Sequence, residues 1–311
     1  MSNPILERCP SDSDALLPHR PLSLAVRVIK IFLFLLPQRL KTSMYDAFAN
    51  DHSPLSTRIS PVRTIFRLPF GLALKVVPGN NTVEADALRF IDSQHGIHTP
   101  LVVDSATSPN KSYLLTTWIE GQNVGEIWDT LSASDKAGIV SDLGDQFRVM
   151  RLQTWSPSHH LICNASGGPI DDPRVPWLAE NPRTFSRCQS FAEEVWTGLD
   201  WQNNKNTLQP FLKPLIERDV PIVFSHGDLL PKNLIFPGGL DCWRSGFSRI
   251  CVLDWEYAGW MPLYWDALKM TWTQVEQDDD WLQMARAVFP ECRNELDADW
   301  EWRSRSGVLI L

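Results

Sequence analysis

The spacing of apolar positions changes repeatedly along this chain, and each change marks an element. Leu22 to Leu36 is apolar apart from Ser23, Arg27 and Lys30; the two cations lie three apart on one helical face, with Ile29, Phe32 and Leu33 elsewhere. Pro37 ends the run. It is shorter than the roughly twenty apolar residues a spanning helix needs. The acidic residues before it, Glu7, Asp12 and Asp14, fit neither a signal nor a transit peptide. The preferred reading is a helix packed on the N-terminal part of the fold, with membrane-surface contact through 22–36 the less favoured alternative.

Thr64–Leu68, a Pro69-Phe70-Gly71 turn and Leu72–Val77 then read as a hairpin. Period two places Ala73 and Lys75 on one face. Asn81-Thr82 cap a helix from Val83, in which Glu84, Leu88 and Ile91 share a face and Asp86 points to another. Leu101–Asp104 and Ser112–Trp118 read as two further strands. Helical spacing returns with Ile139, Val140, Leu143, Phe147 and Met150, in a core helix capped by Ser132 or Ser134. Ser156–Thr184, rich in Pro, Gly, Asp and Asn, is a long irregular loop of the kind that is usually functional or disordered. Helical stretches Phe191–Trp201 and Leu208–Arg218 precede a strand at Ile222–Phe224.

Two short apolar runs then end on carboxylates: Phe224-Ser225-His226-Gly227-Asp228, continuing to Asn233, and Cys251-Val252-Leu253-Asp254-Trp255-Glu256-Tyr257-Ala258-Gly259. Phosphoryl transfer is mostly positioning and charge neutralisation, and needs such a pair. One carboxylate orients and deprotonates the attacking hydroxyl, while a second, with an amide oxygen, holds Mg²⁺. The spacing Asp-x-x-x-x-Asn is that of a kinase catalytic loop.

His226-Gly227-Asp228-Leu229-Leu230-Pro231-Lys232-Asn233 followed by Leu253-Asp254-Trp255-Glu256-Tyr257-Ala258-Gly259 resembles the aminoglycoside phosphotransferase family, closest to its divergent fungal branch. The resemblance implies an α+β, protein kinase-like two-lobe fold: a small antiparallel sheet plus helix, then a mainly helical lobe. It covers about residues 60–305. It implies Asp228 as catalytic base, Asn233 and Asp254 as Mg²⁺ ligands, and His226 as a structural residue of the loop. Leu72-Ala73-Leu74-Lys75 is similar to the kinase Val-Ala-Ile-Lys strand, so Lys75 would reach the phosphates of ATP with Glu84 as its partner, over a floor made by Ala73; a surface lysine is the plain alternative. Ile119, in Trp118-Ile119-Glu120-Gly121, would lie at the interlobe hinge where backbone groups meet adenine, and Gly121 would allow the bend. Asp266 matches a family aspartate that braces the catalytic loop. The chain departs from the kinase pattern at Ser56–Phe70, which holds no glycine and no G-x-G-x-x-G, so phosphate contacts would fall more heavily on Lys75 and Mg²⁺.

Composition narrows the partners. The 311 residues suffice for two lobes, and 43% hydrophobic with 21% charged residues is ordinary for a globular chain. A net charge of −8 argues against a nucleic-acid partner. Six scattered cysteines show no zinc spacing and fit a reducing, cytoplasmic compartment. Fourteen tryptophans read as core packing before they read as an acceptor pocket. Asp171-Asp172 and Asp278-Asp279-Asp280 are the acidic runs, and both have the look of solvated faces. The expected division is a tail and helix over 1–55, an N-lobe over 56–120 and a C-lobe over 121–311. The expected function is ATP- and Mg²⁺-dependent phosphorylation of a small-molecule hydroxyl. The competing reading is a pseudokinase-like binding or scaffold protein, motivated by the missing glycines and a short C-terminus; a protein kinase is disfavoured because His-Gly-Asp replaces His-Arg-Asp.

Overall fold

A computed structural model describes residues 22–50, 53–59, 64–94, 96–156, 158, 161–197, 202–273 and 279–306. The polar segment 1–20, residues 60–63 of the glycine-free stretch, Trp201 and Asp278 lie outside these.

The first lobe is organised by one strand. In β3 (Leu72–Pro78), Leu72, Leu74 and Val76 are buried and alternate with half-buried Ala73 and Lys75. It pairs with β2 (Ile65–Leu68) and β5 (Lys111–Thr117), and β1 (Thr57–Arg58) and β4 (Val102–Thr107) complete an antiparallel sheet of order β1-β2-β3-β5-β4. The β2–β3 turn places both Phe70 and Gly71 at positive φ, 64° and 69°. Leu72, Leu74 and Val76 face two helices, α1 (Leu24–Leu35) and α2 (Gln38–Phe48), which bury Val26, Leu33 and Tyr45 against the sheet. The opposite face, carrying Ala73 and Lys75, looks toward α3 (Val83–Gln94) and the second lobe.

Helix α2 has no counterpart among the expected elements. It packs Tyr45, Met44 and Phe48 on the sheet's apolar core and is fastened by a polar clamp: Asp104 on β4 accepts from Lys41 Nζ at 2.7 Å and from Tyr45 Oη at 2.6 Å. Burial and the neighbouring carboxylate hold the Tyr45 phenol above its ordinary range.

The connection Trp118–Glu120 has no regular structure, and β6 (Gly121–Asn123) then joins the second lobe by pairing with β9 (Leu234–Pro237). A bend at Gly121 was the expectation, but the requirement is space: a Cβ there would overlap the main chain of Phe236. Short α4 (Val124–Ile127) leads into α5 (Ala133–Thr154), whose capping box uses Ser132 and Asp135. Ile139, Leu143, Phe147 and Met150 of α5 are buried in a core that runs without a break from Leu88 on α3 to Trp302.

Strand β7 (Cys163–Asn164) and helices α6 (Cys188–Val195), α7 (Gln202–Thr207) and α8 (Gln209–Ile216) follow. After β8 (Ile222–Ser225) and β9 come α9 (Leu240–Arg244), β10 (Cys251–Val252) and β11 (Gly259–Pro262). Helices α10 (Trp265–Thr271), α11 (Asp280–Val288) and α12 (Arg293–Arg305) close the lobe. The strands form two small antiparallel sheets, β10-β9-β6 and β7-β11-β8. Trp196, Trp255, Trp265 and Trp302 are fully buried core side chains. No described helix is long and apolar enough to cross a membrane.

Asp172 departs from the expectation of a solvated acidic run. It is buried and paired at 2.7 Å with Lys269 Nζ on α10, which ties the connection after β7 to that helix. The pairing is explained by burial: an isolated ammonium or carboxylate in that core would be strongly disfavoured.

The α2 clamp yields a stability test. Tyr45→Phe removes one hydrogen bond to a carboxylate without changing volume, and should lower the unfolding free energy by about 1–3 kcal/mol. Urea denaturation measures it; an unchanged midpoint would mean that the Tyr45–Asp104 bond contributes nothing to the attachment of α2.

Candidate active site

Strand β8 is buried along its whole length and delivers the chain into the core at His226. Main-chain N–H groups at such a strand end need acceptors. Asp266, in the first turn of α10, supplies one: its Oδ1 accepts from His226 N at 2.9 Å and Gly227 N at 3.1 Å. Gly227 has φ +80°, and a Cβ there would overlap the carbonyl of Tyr257, so glycine is required twice over. The His226 ring is held at both nitrogens. Nδ1 accepts from Asp228 N at 3.0 Å, so the proton sits on Nε2, which donates to Leu253 O at 2.8 Å. Burial lowers the His226 pKa from its ordinary 6.5, and the imidazole is neutral.

The ring thereby ties two loops together. On one side, Asn233 Nδ2 donates to Asp228 main-chain O at 2.8 Å and to Asp228 Oδ2 at 2.9 Å. Lys232 Nζ reaches the same carboxylate at 3.2 Å. On the other, β10 pairs with β9 at Val252↔Leu234, and Leu253 N donates to Asn233 O at 2.8 Å. Asn233 and Asp254 thus flank adjacent strand ends. Asp254 itself has φ 65°, uncommon outside glycine.

Asp254 meets the first lobe through Lys75. Lys75 Nζ lies 2.7 Å from Glu84 Oε2, 2.6 Å from Asp254 Oδ1 and 2.9 Å from Glu256 Oε2. Burial acts to lower the Lys75 pKa, but Glu84, Asp254 and Glu256 outweigh it and hold the ammonium above its usual range. Burial likewise raises the Glu84 carboxyl, with Lys75 opposing. One ammonium among three carboxylates leaves the cluster rich in hard oxygen donors, and the ligand atoms of Glu84, Asp254 and Glu256 all lie within 4.8 Å of one another.

Of the residues singled out from the sequence, Lys75, Glu84 and Asp254 meet in this cluster, and Asp228 and Asn233 meet in the loop beside it. Ala73 and Ile119 are half-buried and outside the cluster, Ala73 opposite Thr116 in the sheet and Ile119 in the interlobe connection. Asp86 turns away, accepting from Thr82 Oγ1 and Ser166 Oγ. Glu256 and Lys232 were passed over. Glu256 stands two residues beyond Asp254 in the quoted motif, and that Asp-x-Glu spacing was its only signal.

A sheet-and-helix lobe with a bridged lysine, one short connection and a helical lobe bearing a His-Gly-Asp loop define a protein kinase-like two-lobe fold. The profile of the phosphotransferase enzyme family matches residues 79–303, and the chain belongs to that family. It is a small-molecule phosphotransferase. A comparison with curated proteins returns no match. Among solved structures it is similar to a putative fructosamine-3-kinase from Haemophilus somnus 129PT, with 13% identity over 80% of each chain and a TM-score of 0.49. It is also similar to the aminoglycoside phosphotransferase APH(3'')-Id from Streptomyces rimosus in complex with ADP and streptomycin, with 17% identity, 87% of this chain and 92% of that one covered, and a TM-score of 0.45.

The neutral His226 predicts a pH effect. The unfolded chain takes up its proton below about 6.5 while the folded chain resists, so the unfolded state binds more protons and stability rises with pH. This contribution is complete above 6.5 and is lost as pH falls below that value toward the depressed folded pKa. Between pH 7 and 5 the unfolding free energy of the native chain should therefore fall more steeply than that of His226→Gln, by up to about 1.4 kcal/mol per pH unit. Parallel pH profiles from denaturant melts would show His226 to be no different folded or unfolded.

Proposed function

We propose that this phosphotransferase moves the γ-phosphoryl group of ATP to the hydroxyl of a small molecule, with Asp228 as the base. The observation that supports this most is the joining of two sets of groups. The Leu253–Asn233 hydrogen bond and the His226 ring couple the loop bearing Asp228 to the strand end bearing Asp254, and Asp254 couples to Lys75. A base, a metal-binding carboxylate and a phosphate-binding ammonium therefore share one hydrogen-bonded frame. On this reading residues 56–120 hold the nucleotide and 121–311 carry the loop and the acceptor, in a cytoplasmic setting.

The donor set fits Mg²⁺. Three carboxylates face one ammonium, and the excess negative charge and oxygen chemistry suit a hard divalent cation. Asp254 and Glu256 would hold it with the amide oxygen of Asn233, whose nitrogen is committed to Asp228. When bound, the metal would neutralise charge on the phosphates. Lys75, kept in place by Glu84, would take the remaining phosphate charge, and Ala73 and Ile119 would border the adenine. Asp228 would orient the acceptor hydroxyl and accept its proton as the new oxygen–phosphorus bond forms and the bond to the departing ADP oxygen breaks. Asn233 holds Asp228 by two bonds from one nitrogen, which leaves the carboxylate's other oxygen for the acceptor.

Asp228→Asn keeps the side chain's shape but removes its basic oxygen. A positioned base contributes roughly 10²–10⁴-fold, so turnover should fall by that factor, about 3–5 kcal/mol of transition-state stabilisation, with ATP affinity nearly unchanged. Lys75→Met should weaken affinity and turnover together. An acceptor phosphorylated by Asp228→Asn at the native rate would remove Asp228 from the mechanism, and a chain that binds ATP but phosphorylates no member of a broad hydroxyl panel would favour the scaffold reading.

A further inference from the structure

Helix α1 shows the body of the protein only a narrow stripe. Val26 and Leu33 are buried and Ile29 is half-buried, while Lys30 Nζ reaches across to Val102 O at 3.1 Å. Those positions fall on one side of the helix at 100° per residue. The opposite side, where a helix on a water-soluble lobe carries charged residues, is aliphatic: Leu24, Val28, Ile31 and Leu35, spaced i, i+4, i+7, i+11, are 79%, 58%, 64% and 73% exposed. Phe32 and Phe34 extend it on either flank, 57% and 82% exposed. So continuous an exposed apolar surface marks a contact site rather than the scattered apolar residues every surface has.

Charge selects the occupant. From Leu22 to Tyr45 the chain has Arg27, Lys30, Arg39 and Lys41 and no Asp or Glu, although the whole protein carries −8. Lys41 is spent on Asp104, but Arg27, Lys30 and Arg39 are exposed. A second copy docking by two-fold symmetry would bring these cations against themselves. An anionic surface is complementary to them. A twelve-residue helix is about 18 Å long and cannot cross a bilayer, but one with an apolar side and basic residues beside it lies in the plane of an interface. We propose that the outer face of α1 docks this protein on an anionic lipid surface, with Leu24, Val28, Ile31, Phe32, Phe34 and Leu35 entering the headgroup–acyl boundary and Arg27 and Arg39 facing lipid phosphates.

The placement is compatible with the phosphotransfer site. Helix α1 covers one face of the sheet, through Leu72, Leu74 and Val76, and Lys75 stands on the other. Docked in this way, the protein turns its cleft away from the membrane and leaves it open to water-borne ligands.

Flotation with liposomes tests the proposal on the full chain. Vesicles of phosphatidylcholine with about one third phosphatidylserine should carry the protein, pure phosphatidylcholine vesicles much less, and added salt should weaken the binding. Ile31→Asp combined with Leu35→Asp alters only outward positions. It should keep the far-ultraviolet circular dichroism of the native chain while lowering partitioning by more than about tenfold. Arg27→Glu with Arg39→Glu should abolish the preference for phosphatidylserine. The proposal is overturned if the native chain ignores both vesicles, if the Asp variants partition as the native chain does, or if light scattering shows a dimer that the Asp variants convert to monomer. It is equally overturned if vesicle binding appears only after residues 1–21 are deleted, since the chain's own start would then be what covers α1.

Discussion

Everything in the cleft depends on where one ammonium finds its counter-charges. Lys75 stands on a sheet of the first lobe, yet two of its three carboxylate partners, Asp254 and Glu256, come from the second. The covalent link between lobes, Trp118–Glu120, lacks regular structure. Main-chain hydrogen bonds tie it at both ends, Trp118 N to Gly71 O at 2.8 Å and Gly238 N to Glu120 O at 3.0 Å, and its side-chain ties are exposed: Arg67 is bonded to Glu120 and lies over Trp118 at 5.1 Å. Exposed pairs of that kind are worth little. A mostly buried cluster with short contacts is different, because breaking it strands charges in a low dielectric.

Behind that cluster, a single carboxylate organises the loop. Asp266 satisfies two main-chain donors that β8 brings into the core, and the loop they shape aims the His226 ring at Leu253. Residues far apart in sequence are thereby fixed relative to each other by hydrogen bonds between buried side chains and main chain. The buried Asp172–Lys269 pair does a related task on the neighbouring turns of α10, holding the connection around Asp172 near Tyr257, over whose ring Lys269 lies at 5.3 Å.

Local pattern made much of this visible beforehand. The hairpin around Lys75 alternates over its whole length, and α5 repeats its apolar positions for several turns, so both can be read without any partner in view. Asp228, Asn233 and Asp254 stood out because two short apolar runs end on carboxylates and the first continues at the Asp-x-x-x-x-Asn spacing of a kinase catalytic loop. Asp266 stood out by its match to a family aspartate. Helix α2 was illegible for the converse reason: its apolar positions are few, and the clamp that fastens Lys41 and Tyr45 uses an acceptor, Asp104, some sixty residues away. Asp172 was misread because nothing near it announces Lys269. Glu256 was in plain view, but only the fold shows that its carboxylate converges on the same ammonium as Asp254 and Glu84.

Three carboxylates around one ammonium would also act as a filter if Lys75 binds phosphates as proposed. A polyanion approaching Lys75 does not meet a bare cation; it must exchange places with Asp254 and Glu256, and unless those oxygens gain another positive partner the exchange crowds like charges into a site with little water. On the proposed reading, ligands would thus be sorted by the counter-ion they carry. A naked polyphosphate would be repelled at the rim, whereas one already chelated to a divalent cation would bring the compensating charge with it.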